Sequence, residues 1–159
     1  APPFFCVFPH HHNSLGTGNR RKMAWVDKTS LTQNTATMKI CISGSISIRA
    51  LPAEARERIK NIANLDADVL VGDAPGVDTL VQKELLARGH TRVTIWHRGS
   101  APRNNVGGWP ARPVRGSYTD RDRAMCDAAE FGLAIWDGQS RGTARNIEQL
   151  RGRVRVVHV

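Results

Sequence analysis

Four short stretches hold the residue types that can do chemistry. Ser43-Gly44-Ser45 sets hydroxyls beside an open backbone. Gly72-Asp73-Ala74-Pro75-Gly76-Val77-Asp78 places two carboxylates in a turn bracketed by glycines, and Arg121-Asp122-Arg123 alternates charge. Asp137-Gly138-Gln139-Ser140-Arg141-Gly142-Thr143 combines a carboxylate, two hydroxyls and a guanidinium. Small residues with hydroxyls and arginine suit a phosphate. Amides at a helix start donate to its oxygens, and a guanidinium matches its charge and shape. Gly72 and Gly76 permit positive φ and close approach of the backbone. Asp73 can accept bonds from ribose hydroxyls, and Asp78 can do the same or serve the dipole of the helix it starts. The Lys-Ser/Thr pair and spacing of a P-loop are missing, and so is GxGxxG.

Other chemistries find less support. Cys6, Cys41 and Cys126 form no CxxC pair, and His10-His11-His12 reads as part of an irregular tail rather than a metal site. No metal and no cofactor are expected. No Ser-His-Asp order can be assembled, and no carboxylate pair declares a hydrolase geometry. Trp96 and Trp109 suit base stacking or core packing equally.

These stretches fall at the ends of regular elements. Short apolar runs predict strands at residues 39–43, 68–71, 92–96, 131–136 and 154–158. Helical patterns fill 52–64, 77–88, 119–129 and 143–150, with Pro52 suited to a first turn and Gly89 to a helix end. Strand and helix alternate. That order predicts an α/β fold, a Rossmann-like three-layer sandwich on a mostly parallel five-stranded sheet. In such sheets ligands bind beyond the carboxyl ends of the strands, where the four stretches lie. Residues 97–117 carry no period. Gly107-Gly108-Trp109-Pro110 within them reads as a lid or a partner-facing loop.

The chain has 159 residues, 40% hydrophobic and 23% charged, which fits an ordinary single domain. No run approaches the ~20 apolar residues of a membrane helix. The net charge is +9. Residues 1–37 supply four Lys or Arg and one Asp, so the rest is basic too. Basic balance favours phosphate-bearing partners. Residues 1–37 are expected to form an irregular, mobile tail, with Met38 the natural start of the folded unit. Sparse cysteines suit a reducing compartment, so a cytoplasmic location is expected.

The ordered series Ile42–Ser45, Val71–Asp78, Arg121–Met125 and Ile135–Thr143 resembles the SLOG superfamily. That group joins the DNA-processing protein A (Smf) proteins and the lonely-guy phosphoribohydrolases. The chain is most similar to its small YpsA-related branch, over about residues 38–159. The resemblance implies a Rossmann-like nucleotide-binding fold with its pocket over the strand ends. Lonely-guy enzymes carry PGGxGTxxE, whose glutamate helps cleave the base–ribose bond. Gly142 and Thr143 match its phosphate-binding half, but Asn146 stands at the glutamate position. Glu148 lies about 200° around the helix from it, so the hydrolase chemistry loses its carboxylate.

The reading is a domain that binds a nucleoside phosphate, an ADP-ribose-like ligand or a cyclic nucleotide. Its expected contacts are Gly44, Ser45, Gly72, Asp73, Gly76, Asp78, Arg121, Asp137, Ser140, Arg141, Gly142 and Thr143. An N-glycosidic-bond hydrolase, with Asp73, Asp78 or Asp122 as the carboxylate that stabilises an oxocarbenium-like transition state while water attacks, is the first alternative. A single-stranded DNA binder of the Smf type is the second. The resemblance also implies a homodimer, and no membrane partner is expected.

Overall fold

The computed structural model describes residues 37–159. The expected tail, and the start proposed for the folded unit, concern a boundary whose N-terminal side lies outside them. The element order is β1 (Lys39–Gly44), α1 (Ala53–Asn64), β2 (Asp68–Gly72), α2 (Val77–Ala87), β3 (Val93–His97), β4 (Ala111–Pro113), α3 (Tyr118–Ala128), β5 (Phe131–Trp136), α4 (Arg141–Gln149) and β6 (Val154–His158). The strands form one sheet in the order β4-β3-β2-β1-β5-β6. Every neighbouring pair is parallel.

Period-2 alternation sends side chains to two cores. Ile40, Ile42, Val69, Val71, Val93 and Ile95 face α1 and α2, meeting Ala55, Ile59, Val77, Val81 and Leu85. Cys41, Leu70 and Trp96 face the other way and pack with Met125, Cys126, Ala129 and Leu150. Each fully buried Ile, Leu or Val contributes about 1.5–3 kcal/mol to holding these layers. The expected α/β sandwich is therefore present, with helices on both faces.

The sheet has six strands rather than five. The added one, β4, is three exposed residues at the edge, Ala111-Arg112-Pro113. It is too short to alternate, and Pro110 and Pro113 mask it in sequence. The long loop before it is anchored at Trp109. Trp109 is buried in the α1/α2 core. Its backbone N–H donates to the Asn105 carboxamide at 3.0 Å, and that carboxamide donates back to its carbonyl at 2.8 Å. Gln82 of α2 pins the same loop. It donates to the carbonyls of Gly72 and Asn104 and accepts from the Val106 amide.

Two helices begin earlier than their sequence suggests. α3 starts on Ser117, whose hydroxyl and Asp120 form a reciprocal capping box. α4 starts on Ser140, which puts Arg141 and Gly142 in its first turn. Among the described residues no helix is long and apolar enough to cross a membrane.

Candidate functional site

The sheet order reverses between β1 and β5, since β1 leads outward to β2 and β5 leads outward to β6. Beyond their carboxyl ends lies a cavity of about 220 Å³. Ser43 and Gly44 come from β1, Asp78 from α2, and Tyr118, Thr119, Arg121 and Asp122 from α3. Ser140, Gly142, Thr143, Arg145 and Asn146 come from the start of α4. Gly44 is a steric requirement, because a Cβ there would meet the Ile135 carbonyl and the Val77 side chain. Gly76 caps α2 at φ +80°, and a Cβ on it would strike the Ile46 backbone. These two glycines let β1, β5 and α2 close around the cavity.

One wall is a buried ionic cluster. Arg121, 5% exposed, donates to Asp73 at 2.6 Å and to Asp122 at 2.6 and 3.0 Å. Asp73 is fully buried. It also accepts the backbone amide of Arg103 at 2.8 Å and its guanidinium at 3.0 and 3.3 Å. Burial alone would raise the Asp73 carboxyl, but the bonds from Arg103 and the charge of Arg121 hold it below its ordinary value. Asp78 is 4% exposed. Among the described residues it accepts only the Ala74 amide, at 3.1 Å, and it stands 3.7 Å from Arg121. Burial pushes its carboxyl up to about 7. Asp122 and Asp73 add to the rise, while Arg121 and the amide oppose it. Gly72 makes the packing possible, since a Cβ there would fall on the Asp78 carboxylate and the Arg121 guanidinium. The Tyr118 ring lies beneath Arg103 at 4.0 Å, with Arg98 at 4.9 Å, which ties the cluster to the cavity mouth.

The other wall is the first turn of α4. Asp137 shapes it by accepting the amides of Gln139 and Ser140 at 2.9 and 2.7 Å and the Ser47 hydroxyl at 2.6 Å. The Ser47 hydroxyl first, then those amides, hold its carboxyl well below the usual range. Ser45 steadies the same turn, accepting the Asp137 amide at 3.1 Å. Ser140 caps the Thr143 amide, and the Thr143 hydroxyl donates to Ser140 at 3.2 Å. The preceding amides, those of Arg141 and Gly142, have no partner among the described residues. A helix start with free amides carries partial positive charge.

Two further groups complete the site. Ser43 and Asn146 are each 5% exposed and line the cavity, yet neither side chain makes a hydrogen bond among the described residues. The buried side-chain N or O left without a partner among the described residues is Trp96 Nε1, so the Ser43 and Asn146 polar atoms are reached by water from the cavity and stand free to bond a polar occupant. The arrangement offers donors from α4, hydroxyl and carboxamide groups from Ser43, Thr143 and Asn146, and a carboxyl from Asp78. Its chemistry suits a phosphorylated ligand bearing hydroxyls.

The twelve expected contacts divide into three groups. Gly44, Asp78, Arg121, Ser140, Gly142 and Thr143 line the cavity, as does Asp122. Ser45, Gly72, Asp73, Gly76 and Asp137 stand behind them and hold the walls in shape. Arg141 is exposed outside the lining. Ser43, Tyr118, Thr119, Arg145 and Asn146 line the cavity without having been singled out as contacts. Asn146 carried one signal, its position in the α4 turn after Gly142-Thr143. Trp96 and Trp109 lie in the cores, and neither lines the cavity. Among the described residues no cluster of His, Cys, Asp and Glu could hold a metal. Cys41 is buried, and its thiol is pushed well up by a hydrogen bond with Cys126 and by burial.

No family model and no curated protein matches the chain. Among solved structures, the fold is similar to DNA processing protein A from Helicobacter pylori, at 18% identity and a TM-score of 0.55. The match covers 82% of this chain and 68% of that one. That protein is described by its single-stranded DNA binding mode. The likeness bears out the expected Rossmann-like fold and supports the SLOG resemblance at the level of fold.

Proposed function

We propose that this chain binds a nucleotide or a nucleotide-derived ligand beyond the ends of β1 and β5. The observation that carries the reading is the open start of α4 beside two cavity-lining side chains, Ser43 and Asn146, that make no hydrogen bond among the described residues. The phosphate sits against the Gly142 amide and the Thr143 hydroxyl, with Arg145 adding charge. Asp78 and Asn146 address the sugar. A cavity of about 220 Å³ is smaller than the ~300–1,000 Å³ of drug-sized pockets. It therefore takes the phosphate and sugar of a nucleoside phosphate or cyclic nucleotide, and the base rests at the mouth near Tyr118. An ADP-ribose-like ligand enters by one half only.

Gly142 gives a clean test. A Cβ there meets only the Asp122 carboxylate, at 4.0 Å, so Gly142→Val fills the seat with no clash against backbone. Thermal shift and calorimetry on the full chain with nucleoside monophosphates, cyclic nucleotides and ADP-ribose read the binding. One ligand stabilises the wild type saturably, and the variant loses that response while keeping its unliganded Tm within a few degrees. Equal binding by the variant, or no response to any ligand, refutes the site. Chromatography of the same mixtures for released base tests the hydrolase reading, in which Asp78 or Asp122 supplies the carboxylate.

A second reading is single-stranded DNA binding, favoured by the structural neighbour and by residues 97–117. This segment holds Arg98, Arg103, Arg112 and Arg115 and no acidic residue. It predicts affinity for an oligonucleotide that falls steeply with salt. A shallow salt slope refutes it.

A further inference from the structure

We propose that anion binding in this cavity is coupled to uptake of one proton by Asp78, an inference that rests on the ligand site proposed above. The argument is one of charge matching. Asp73, Asp78 and Asp122 meet two arginines, Arg103 and Arg121. Arg103 is spent on Asp73, with three contacts between 2.8 and 3.3 Å. Arg121 is spent on Asp73 and Asp122, each at 2.6 Å. Asp78 is the acid left over, with one amide bond and a guanidinium held at 3.7 Å.

Among the described residues the surroundings supply no other cation to Asp78. Asp73 follows directly on β2, and α3 presents Arg121 and Asp122. The loop after β3 presents Arg103, engaged with Asp73. Cys41 of β1 is a neutral thiol beside Cys126 of α3. α4 contributes Arg145 at the rim, where it bonds the Thr119 hydroxyl at 3.3 Å. With all three acids ionised the wall carries one uncompensated negative charge. An anion entering a site already this enclosed meets that charge through little water. Protonating Asp78 removes the repulsion and turns an acceptor into a donor for a ligand oxygen. The group lines the cavity and lies between Gly72 and Arg121. Its position near neutrality, caused first by burial, puts the coupling within the ordinary range of pH.

Calorimetry of the full chain with sulfate and with adenosine 3′,5′-cyclic monophosphate tests this, since neither anion titrates between pH 5.5 and 8.5. The coupling predicts affinity nearly constant below about pH 6.5 and falling toward tenfold per pH unit above about 7.5. At pH 8, heats measured in buffers of different ionisation enthalpy give uptake of about one proton per anion bound. Asp78→Asn keeps the shape and removes the titration, so its affinity at pH 8 matches the wild type at low pH. The buffer experiment on the wild type decides the matter even if the variant folds poorly. Binding with a flat pH profile and no proton uptake overturns the coupling and leaves the site standing. Failure of both anions to bind at any pH overturns the site and the coupling together.

Discussion

Replacing Arg121 by Met strips the central cation from two buried carboxylates, Asp73 and Asp78, and the partly exposed Asp122, at nearly constant side-chain volume. Arg121 makes two contacts of 2.6 Å, one to Asp73 and one to Asp122, and faces Asp78 at 3.7 Å. Removing one partner from a buried ion pair costs about 3–5 kcal/mol, because the other charge stays enclosed. Unfolding entropy of about 2.1 cal/mol/K per residue, over a domain of this size, converts that loss to a Tm lower by roughly 12–19 °C. Arg103→Met is the control. Its side chain is 37% exposed, and Asp73 keeps Arg121 and the amide of residue 103, so the loss is smaller, about 1.5–3 kcal/mol for a charge-assisted hydrogen bond. Urea unfolding of both variants at pH 7 gives the comparison. An Arg121→Met protein within 1 kcal/mol of wild type, or no weaker than Arg103→Met, refutes the view that this cation holds the wall together.

Three other outcomes follow from the same geometry. A carboxyl raised in the folded state stabilises most below its unfolded value and loses that contribution as pH climbs through the folded value. The wild type therefore loses up to about 4 kcal/mol relative to Asp78→Asn between pH 4 and 8, some three units at 1.36 kcal/mol each. Parallel unfolding curves for the two proteins across that window refute the shift. Asp73, lowered in the folded state, acts oppositely, and its contribution disappears as pH falls below about 4. Gly72→Ala costs about 1–3 kcal/mol by overpacking, whereas Gly142→Ala stays within about 0.5 kcal/mol, and denaturation of the pair ranks them. Gln82→Leu leaves the Val106 amide without its acceptor, so hydrogen exchange there rises at least tenfold. Unchanged protection at Val106 contradicts the role given to Gln82.

The fold was legible because period and punctuation agreed. Ile40, Ile42, Val69 and Val71 alternate with residues that the opposite core needs, and Gly72 and Gly89 fall at real ends. β4 was not legible, since three residues, the last of them Pro113, carry no period and pair only because β3 lies beside them. Within the site, Gly44, Gly142 and Thr143 stood out by residue type and position. Asp73 stood out too, but as a ribose acceptor, and the structure instead encloses it between Arg103 and Arg121. Nothing local in the sequence tells that Arg121, at the start of a charged helix, is buried. Its enclosure depends on Asp73, 48 positions away, and on Gly72 leaving room. Ser43 and Asn146 were illegible for the same reason, as an unpartnered side chain is a property of the surrounding walls.

The place of β1 in the sheet bears on how the chain assembles. β1 is the first described strand in sequence and the central one in space, flanked by β2 and β5. β2 and β3 can join it in turn through right-handed crossovers, each adding a neighbour on the same side. The opposite edge of β1, from Ile40 to Gly44, must wait for β5. Until then it offers unpaired amides and carbonyls beside apolar side chains, the combination that invites another chain to pair. A half-sheet lacking β5 would therefore expose a pairing edge. The arrival of β5 buries that edge and also brings the start of α4 to the cavity, so the same late step that makes the chain safe also completes its binding site.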